Sequence, residues 1–330
     1  MPTRHVYVTD LVEDDLAIER HVLGDLAVVE ACGAKAEQDL VGRVDGADAL
    51  MVYHLIEVSA ATIDRLAHCK LIVRCGVGYD NVDLAAATAR GIPVANVPDY
   101  GTEEVADSAI GMMLALTRGI HRLNVRMQIG EAPWTYGETV PLTRLRGEVL
   151  GIVGLGRIGT AVALRAKALG MEVVFYDPYQ PAGLDKALGI RRVEALAQLL
   201  EQSYVVSLHC PSTTETRHMI GAHCVGVMRR GAYLINTARG DVVDTSVIPD
   251  AIASGQLAGA AIDVLPEEPP PDDSPLLIAW RDPQHPAHDR LIINPHAAFY
   301  CEEGLTEIRV KASQACRAAL TGQPIRTRVN

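Results

Sequence analysis

The sequence predicts an α/β protein built on two parallel, doubly wound sheets, and three observations carry that prediction. Short apolar runs recur along two blocks of the chain, separated by polar or helix-like segments, which is the rhythm of strands joined by crossover helices. Many of the runs are continuous rather than alternating, as expected of strands covered on both faces. A G-x-G-x-x-G turn joins the first strand of the second block to a helical segment. The 330 residues provide for about two domains. With 48% apolar but only 4% aromatic residues, the cores must be aliphatic and rich in alanine.

In chain order, the first block places strands at residues 6–8, 27–29, 49–53, 71–73 and 94–96. A long helix then runs from Thr102 to about Met127. Thr102 can cap it, and Glu103 and Glu104 suit the positive end of its dipole. Val105, Ala109, Met112, Met113, Leu116, Ile120 and Leu123 recur at helical spacing along it, so it reads as a bridge between domains. The second block has six runs, at 149–153, 173–176, 205–208, 233–236, 260–264 and 291–294. Six such strands fit a doubly wound nucleotide fold. Residues 266–290 are too proline-rich for regular structure apart from a short helix around 276–280.

Thirty Lys and Arg against 41 Asp and Glu give a net charge of −11, which argues against nucleic acid as a general partner. No run reaches the roughly 18 apolar residues of a spanning helix, so no membrane is expected. The amino-terminal MPTRHVYVTD enters a strand pattern and lacks the apolar core and cleavage site of a secretion signal. Seven dispersed cysteines, none in C-x-x-C, suit reduced thiols in a cytoplasm and predict neither a structural disulfide nor a metal site.

The glycine turn reads Gly154-Leu155-Gly156-Arg157-Ile158-Gly159. Gly154 permits the tight turn, Gly156 lets backbone approach a pyrophosphate, and Gly159 lets helix and strand pack closely. The helix N-terminus offers N–H groups to phosphates. The next strand ends at Asp177, where an acid can hydrogen-bond adenosine ribose hydroxyls and would repel a 2′-phosphate, so NAD is expected rather than NADP. Three later strands end in candidate chemistry: Asn236-Thr237-Ala238-Arg239-Gly240, then Asp263 to Glu268 and Pro269, then Asn294-Pro295-His296. Ligands of open sheets bind at such carboxyl ends. Arginine can fork onto a carboxylate or keto oxygen, histidine exchanges protons near neutral pH, and a carboxylate can orient the imidazole.

These residues resemble the NAD-dependent D-isomer-specific 2-hydroxyacid dehydrogenases over essentially the whole chain. The matching stretches are GLGRIGTAVALRAKALG, SLHCPSTTETRHMI, MRRGAYLINTARGDVVD, GAAIDVLPEEP and NPHAAFY. VRCGVGYDNVD, FYDPY, VSLHC and the closing VN are similar to the branch that contains the C-terminal-binding-protein corepressors. The resemblance implies two Rossmann- or flavodoxin-like domains with the active site in the interdomain cleft. It implies a discontinuous substrate domain (1–100 plus 298–330), an NAD-binding domain (101–297), and a homodimer built largely on the latter. Arg239 would bind the substrate's carboxylate and carbonyl, and His296 would be the general acid and base. Glu268, rather than Glu267, would pair with His296. Arg74, Gly76, Val77 and Gly78 would form the substrate loop, with Tyr53 and His54 facing the same cleft. Asp263 would hold the nicotinamide carboxamide, while Cys210, Thr216, Thr237 and Ala238 would line the cofactor. Phe299 stands where the corepressor branch has a tryptophan, and the loop from Glu268 to His296 is longer than that pattern.

The expected activity is NAD(H)-dependent reduction of a small 2-oxoacid such as hydroxypyruvate or glyoxylate. One alternative is a 3-phosphoglycerate dehydrogenase. It would need further cations beside Arg74, and the chain closes soon after His296, without the regulatory domain of the long variants. The other is an NADH-sensing interaction protein like the corepressors. Against it, no long amino-terminal arm or disordered carboxyl-terminal tail is expected, and the complete Arg239, Glu268 and His296 set keeps catalysis available.

Overall fold

The computed structural model describes residues 4–12, 14–130 and 133–330; the first three residues of the amino-terminal stretch lie outside them. The chain forms two compact units, Met1–Gly101 with Cys301–Asn330, and Thr102–Tyr300. The return falls after Tyr300 rather than at 298 for a local reason. Ala298 donates its N–H to Asp263, and its carbonyl accepts from Ser108 Oγ at 3.0 Å, so it is bonded into the second unit.

The first unit carries β1 (His5–Val8), β2 (Val28–Ala31), β3 (Ala49–Val52), β4 (Ile72–Arg74) and β5 (Val94–Asn96). All pair in parallel, in the order β2-β1-β3-β4-β5. Every residue of β3 and β4 is buried, Arg74 at the end of β4 included, whereas edge strand β2 buries only Val29. The free edge of β5 is covered by the closing residues: Val329 N–H donates to Val94 O at 2.8 Å, and Asn96 N–H to Thr327 O at 3.2 Å. That removes an unpaired sheet edge. The helix Glu302–Thr321 brings Arg309 onto fully buried Glu19, with Nε 2.6 Å from the carboxylate. Without this partner Glu19 would be an uncompensated buried charge.

The second unit carries β6 (Val149–Val153), β7 (Glu172–Tyr176), β8 (Arg191–Arg192), β9 (Val205–Leu208), β10 (Ala232–Asn236), β11 (Leu257–Ile262) and β12 (Leu291–Ile293). The order is β12-β11-β10-β9-β6-β7-β8, again parallel throughout. Successive residues alternate between two cores. Val153, Val206, Leu234 and Ile262 enter one, and Ile152, Val205, Ile235 and Ala261 the other. The chain reverses direction across the sheet at the β6/β9 boundary, which opens a crevice at the carboxyl ends there.

Two expectations need correction. The sheet has seven strands, not six, because β8 is two arginines at the edge and has no apolar run to betray it. The helix from Thr102 is also not continuous. It ends at Thr117, Gly119 turns left-handed at φ 63°, and a second helix runs over Ile120–Gln128. A side chain at Gly119 would also collide with Thr139, its Cβ 2.5 Å from Cγ2. The expected apolar stripe is buried from Val105 to Leu116, but Ile120 is 58% exposed.

Candidate active site

In the second unit, the glycine turn is shaped as its sequence suggests. Gly154 has φ 89°, and a Cβ there would lie 2.7 Å from the Cys210 backbone nitrogen. A Cβ on Gly159 would lie 2.2 Å from the Gly154 carbonyl oxygen, so helix and strand meet at a distance that only glycine permits. A Cβ on Gly156 would meet nothing within 4 Å. Open space beside backbone at the head of the helix Arg157–Ala168 is what a pyrophosphate needs. Arg157 and Ile158 occupy that helix's first turn, and Leu155 donates its N–H to Asp177 Oδ2 at 2.8 Å. Asp177 also accepts from Tyr179 N–H at 2.9 Å through Oδ1. Its carboxylate is therefore held at the end of β7.

On the other side of the crevice, Cys210 follows β9, and burial pushes its thiol up to about 11. It is a neutral lining group rather than a nucleophile. Thr216 ties its own loop, donating to Pro211 O at 2.6 Å and accepting from Thr213 N–H at 2.8 Å. Thr237 is 7% exposed, and its Oγ1 is buried with no hydrogen-bond partner among the described residues. An orphaned hydroxyl at a strand end is costly unless a ligand satisfies it. The open face at Gly156, the placement of Asp177 and the Thr237 hydroxyl all fit an adenine dinucleotide. Gly154 to Gly159 and Asp177 would hold its phosphates and ribose.

Arg239, Glu268 and His296 leave the carboxyl ends of the neighbouring strands β10, β11 and β12. The arginine turn is fixed by buried Asn236, whose Oδ1 accepts from Ala238 N–H at 3.0 Å and whose Nδ2 donates to Arg239 O at 2.9 Å. The Arg239 Nη1 donates to Ala238 O at 2.8 Å. A Cβ on Gly240 would sit 1.9 Å from the Leu265 carbonyl carbon, so the arginine turn lies directly against the loop that carries Glu268. Glu268 accepts from Leu265 N–H at 2.8 Å through Oε1 and places Oε2 2.6 Å from His296 Nδ1. Glu267 is exposed and takes no such contact. The His296 ring meets Phe299 edge-on, with centroids 6.1 Å apart.

His296 itself has φ 53°, a left-handed conformation that a β-carbon disfavours. Asp263 holds it there. The Asp263 carbonyl accepts from His296 N–H at 2.7 Å, and its carboxylate accepts from Ala297 and Ala298 N–H at 3.0 and 3.1 Å. Burial raises the Asp263 carboxyl above its ordinary range, against the pull of these amides and of His296. The sequence pointed Asp263 at a carboxamide. Its observed bonds make it first the clamp of the histidine loop.

In the first unit, the candidate substrate residues gather at the ends of adjacent strands β3 and β4. Tyr53 is 2% exposed, and its N–H donates to Asp10 Oδ1 at 3.0 Å; burial raises its phenol. His54 follows it, half-buried. Arg74 is buried, with Nη1 donating to Cys75 O at 3.1 Å. Gly76 has φ 155°, a conformation that favours glycine, and lies against the tip of the Arg74 side chain. Val77 O accepts from Asn96 Nδ2 at 2.7 Å, and Gly78 continues the half-buried turn. Asp10, Asn236 and Gly240 have positioning roles that the sequence did not disclose. Their only signal is a short polar or small residue at a strand end.

Fold and constellation define a dinucleotide-binding protein of the doubly wound α/β class. Residues 110–298 match the NAD-binding domain of the D-isomer specific 2-hydroxyacid dehydrogenases, and the chain belongs to that family. It is 34% identical over 325 residues to the D-3-phosphoglycerate dehydrogenase of Methanocaldococcus jannaschii, spanning 98% of this chain and 59% of that one. It is 33% identical over 317 residues to C-terminal-binding protein 1 of Caenorhabditis elegans, spanning 94% and 42%. The chain thus spans about half the length of these curated relatives. Among solved structures, D-lactate dehydrogenase from Aquifex aeolicus, complexed with NAD and lactic acid, superposes with a TM-score of 0.86. It is 29% identical, with 96% of each chain covered.

Proposed function

We propose that the protein is an NAD(H)-dependent 2-hydroxyacid dehydrogenase that interconverts a small 2-oxoacid, of the hydroxypyruvate or glyoxylate type, and its 2-hydroxyacid. The observation that carries this reading is the His296–Glu268 pair, 2.6 Å apart at the carboxyl edge of the NAD-binding domain. When bound, the nicotinamide supplies the hydride that reduces the C2 carbonyl. His296 gives the proton to the developing alkoxide through Nε2, because Nδ1 faces Glu268. Arg239 binds the carboxylate and carbonyl oxygens and stabilises the charge that grows on the latter. In the first unit, the Val77 and Gly78 N–H groups take the substrate carboxylate, with Arg74, Tyr53 and His54 shaping the pocket. In oxidation His296 is the base.

We assign the second unit as the cofactor domain and the first as the substrate domain. A homodimer in a reducing cytoplasm completes the proposal. Trp134, Tyr136, Val140 and Ile120 are 93, 78, 60 and 58% exposed, an unusual concentration of apolar surface that suits a second copy. All seven cysteines are free thiols.

The test is NADH oxidation at 340 nm against glyoxylate, hydroxypyruvate, phosphohydroxypyruvate, pyruvate and bulkier oxoacids. Turnover with a clear preference supports the reading and names the substrate class. Preference for phosphohydroxypyruvate would replace it with a 3-phosphoglycerate dehydrogenase. Silence across the panel, with NADH bound, would overturn it in favour of an NADH-sensing interaction protein.

A further inference from the structure

The edge strand β8 pairs Arg191 and Arg192 with Val174 and Phe175 of β7. A charged side chain on a sheet edge discourages pairing with another chain. Arg191 is exposed, bonded to Gln202, and does no more than that. Arg192 is placed differently. Its side chain is 20% exposed, and its guanidinium lies over the buried Phe175 ring, 5.9 Å from the centroid. Nη2 donates to Asp177 O at 3.1 Å and Nη1 to Gln180 O at 3.0 Å. Nε faces Glu194 at 3.6 Å. One planar fork therefore spans two carbonyls three residues apart, which a guanidinium can do and a point-like ammonium cannot.

The spanned segment, Asp177-Pro178-Tyr179-Gln180, is the loop that leaves β7. Pro178 has no N–H to contribute. Among the described residues, this loop makes no backbone–backbone hydrogen bond. Side chains tie it instead. Asp177 Oδ1 accepts from Tyr179 N–H, the Tyr179 hydroxyl donates to Glu215, and Arg192 takes the two carbonyls. The direction of the Asp177 carboxylate depends on the backbone that carries it, and Arg192 holds that backbone at residue 177 itself.

The placement of charge matters as much as the tie. An arginine beside the ribose is the usual means of accommodating a 2′-phosphate. Here the guanidinium is engaged with carbonyls, an aromatic face and Glu194. The Asp177 carboxylate accepts from two neutral amides, Leu155 and Tyr179 N–H. Arg192 thus fixes Asp177 while leaving its negative charge in place for ribose hydroxyls, and against a phosphate.

We infer that Arg192 is a positioning residue for the cofactor. Through the carbonyls of Asp177 and Gln180 it fixes the loop that presents Asp177 to the adenosine ribose, and so sets the preference for NADH over NADPH. This rests on the assignment of Asp177 to the ribose.

The test is a double-mutant cycle of Arg192→Met and Asp177→Ala, read by fluorescence titration with NADH and with NADPH. Arg192→Met should raise the Kd for NADH by about tenfold, the order expected when two hydrogen bonds from a charged donor are lost. The Kd for NADPH, which gains nothing from Asp177, should change by less than about twofold, so discrimination shrinks. In the Asp177→Ala background the same substitution should cost less than about twofold for NADH, because the group being positioned is gone. Arg192→Lys keeps charge and reach but cannot fork, so it should lose most of the same affinity. It also carries the test if Arg192→Met does not fold. Equal losses of NADH affinity in the two backgrounds, or equal losses for NADH and NADPH, would make Arg192 a general support of the fold and overturn the inference. Full NADH affinity in Arg192→Lys would do the same. Failure of the underlying assignment is read separately: Asp177→Ala would then bind NADH as the wild type does.

Discussion

Asp10 in the first unit and Asp263 in the second perform the same physical task. Each is a buried carboxylate at the carboxyl end of a strand, and each accepts N–H groups from the loop that leaves the neighbouring strand. Asp10 takes those of Tyr53 and Leu55 at 3.0 and 2.8 Å, beyond β3. Asp263 takes those of Ala297 and Ala298, beyond β12. The difference lies in what is being held. None of residues 53–55 has a positive φ, whereas the Asp263 loop forces His296 to φ 53°. A non-glycine residue in that region costs on the order of 1 kcal/mol or more and persists only where its surroundings over-determine it. The first clamp shapes a surface, and the second holds a strained side chain against its carboxylate partner. We therefore place substrate recognition on the former and proton transfer on the latter.

The sharpest way to break this comparison is His296→Ala. Turnover should fall by about 1000-fold, within the range for a lost general acid, while NADH titration by fluorescence remains near normal. Turnover close to wild type would remove the histidine loop from the chemistry. Next come the two clamps themselves. Asp263→Ala and Asp10→Ala each strand two amides, and urea unfolding should show a loss of about 2 kcal/mol for each. Their kinetics should diverge: Asp263→Ala lowers kcat, whereas Asp10→Ala mainly raises KM for the oxoacid. The same split between kcat and KM in both variants would erase the distinction.

A smaller effect is expected at the cofactor edge. Asp177 should make NADH preferred over NADPH by about tenfold in Kd, equivalent to roughly 1.4 kcal/mol. Equal binding would detach Asp177 from the ribose. The smallest concerns charge alone. Glu268→Gln keeps the shape of the contact but removes its anion, so the alkaline limb of the reduction profile should move to lower pH. An unmoved profile would show that Glu268 only orients the ring.

Much of this was legible before any coordinates. Continuous apolar runs specify strands covered on both faces, and eleven of them were visible because their burial is written into consecutive residues. The glycine turn declares itself because each glycine answers a local steric demand. Arg239, Glu268 and His296 were visible because they follow strands that periodicity had already placed. What stayed hidden depends on contacts between distant parts of the chain. Strand β8 is two arginines, recognisable only by their pairing with Val174 and Phe175. At the break, Gly119 leaves no room for a side chain because Thr139, twenty residues away, packs against it. The choice of Glu268 over Glu267 came from the family resemblance rather than from the residue types, and the 2.6 Å contact with His296 Nδ1 is a tertiary fact. Local sequence determines which segments bury and which turn, because those energies arise between near neighbours. Only the tertiary structure decides which polar groups meet, because a hydrogen bond or an unbalanced charge exists between partners that the sequence keeps far apart.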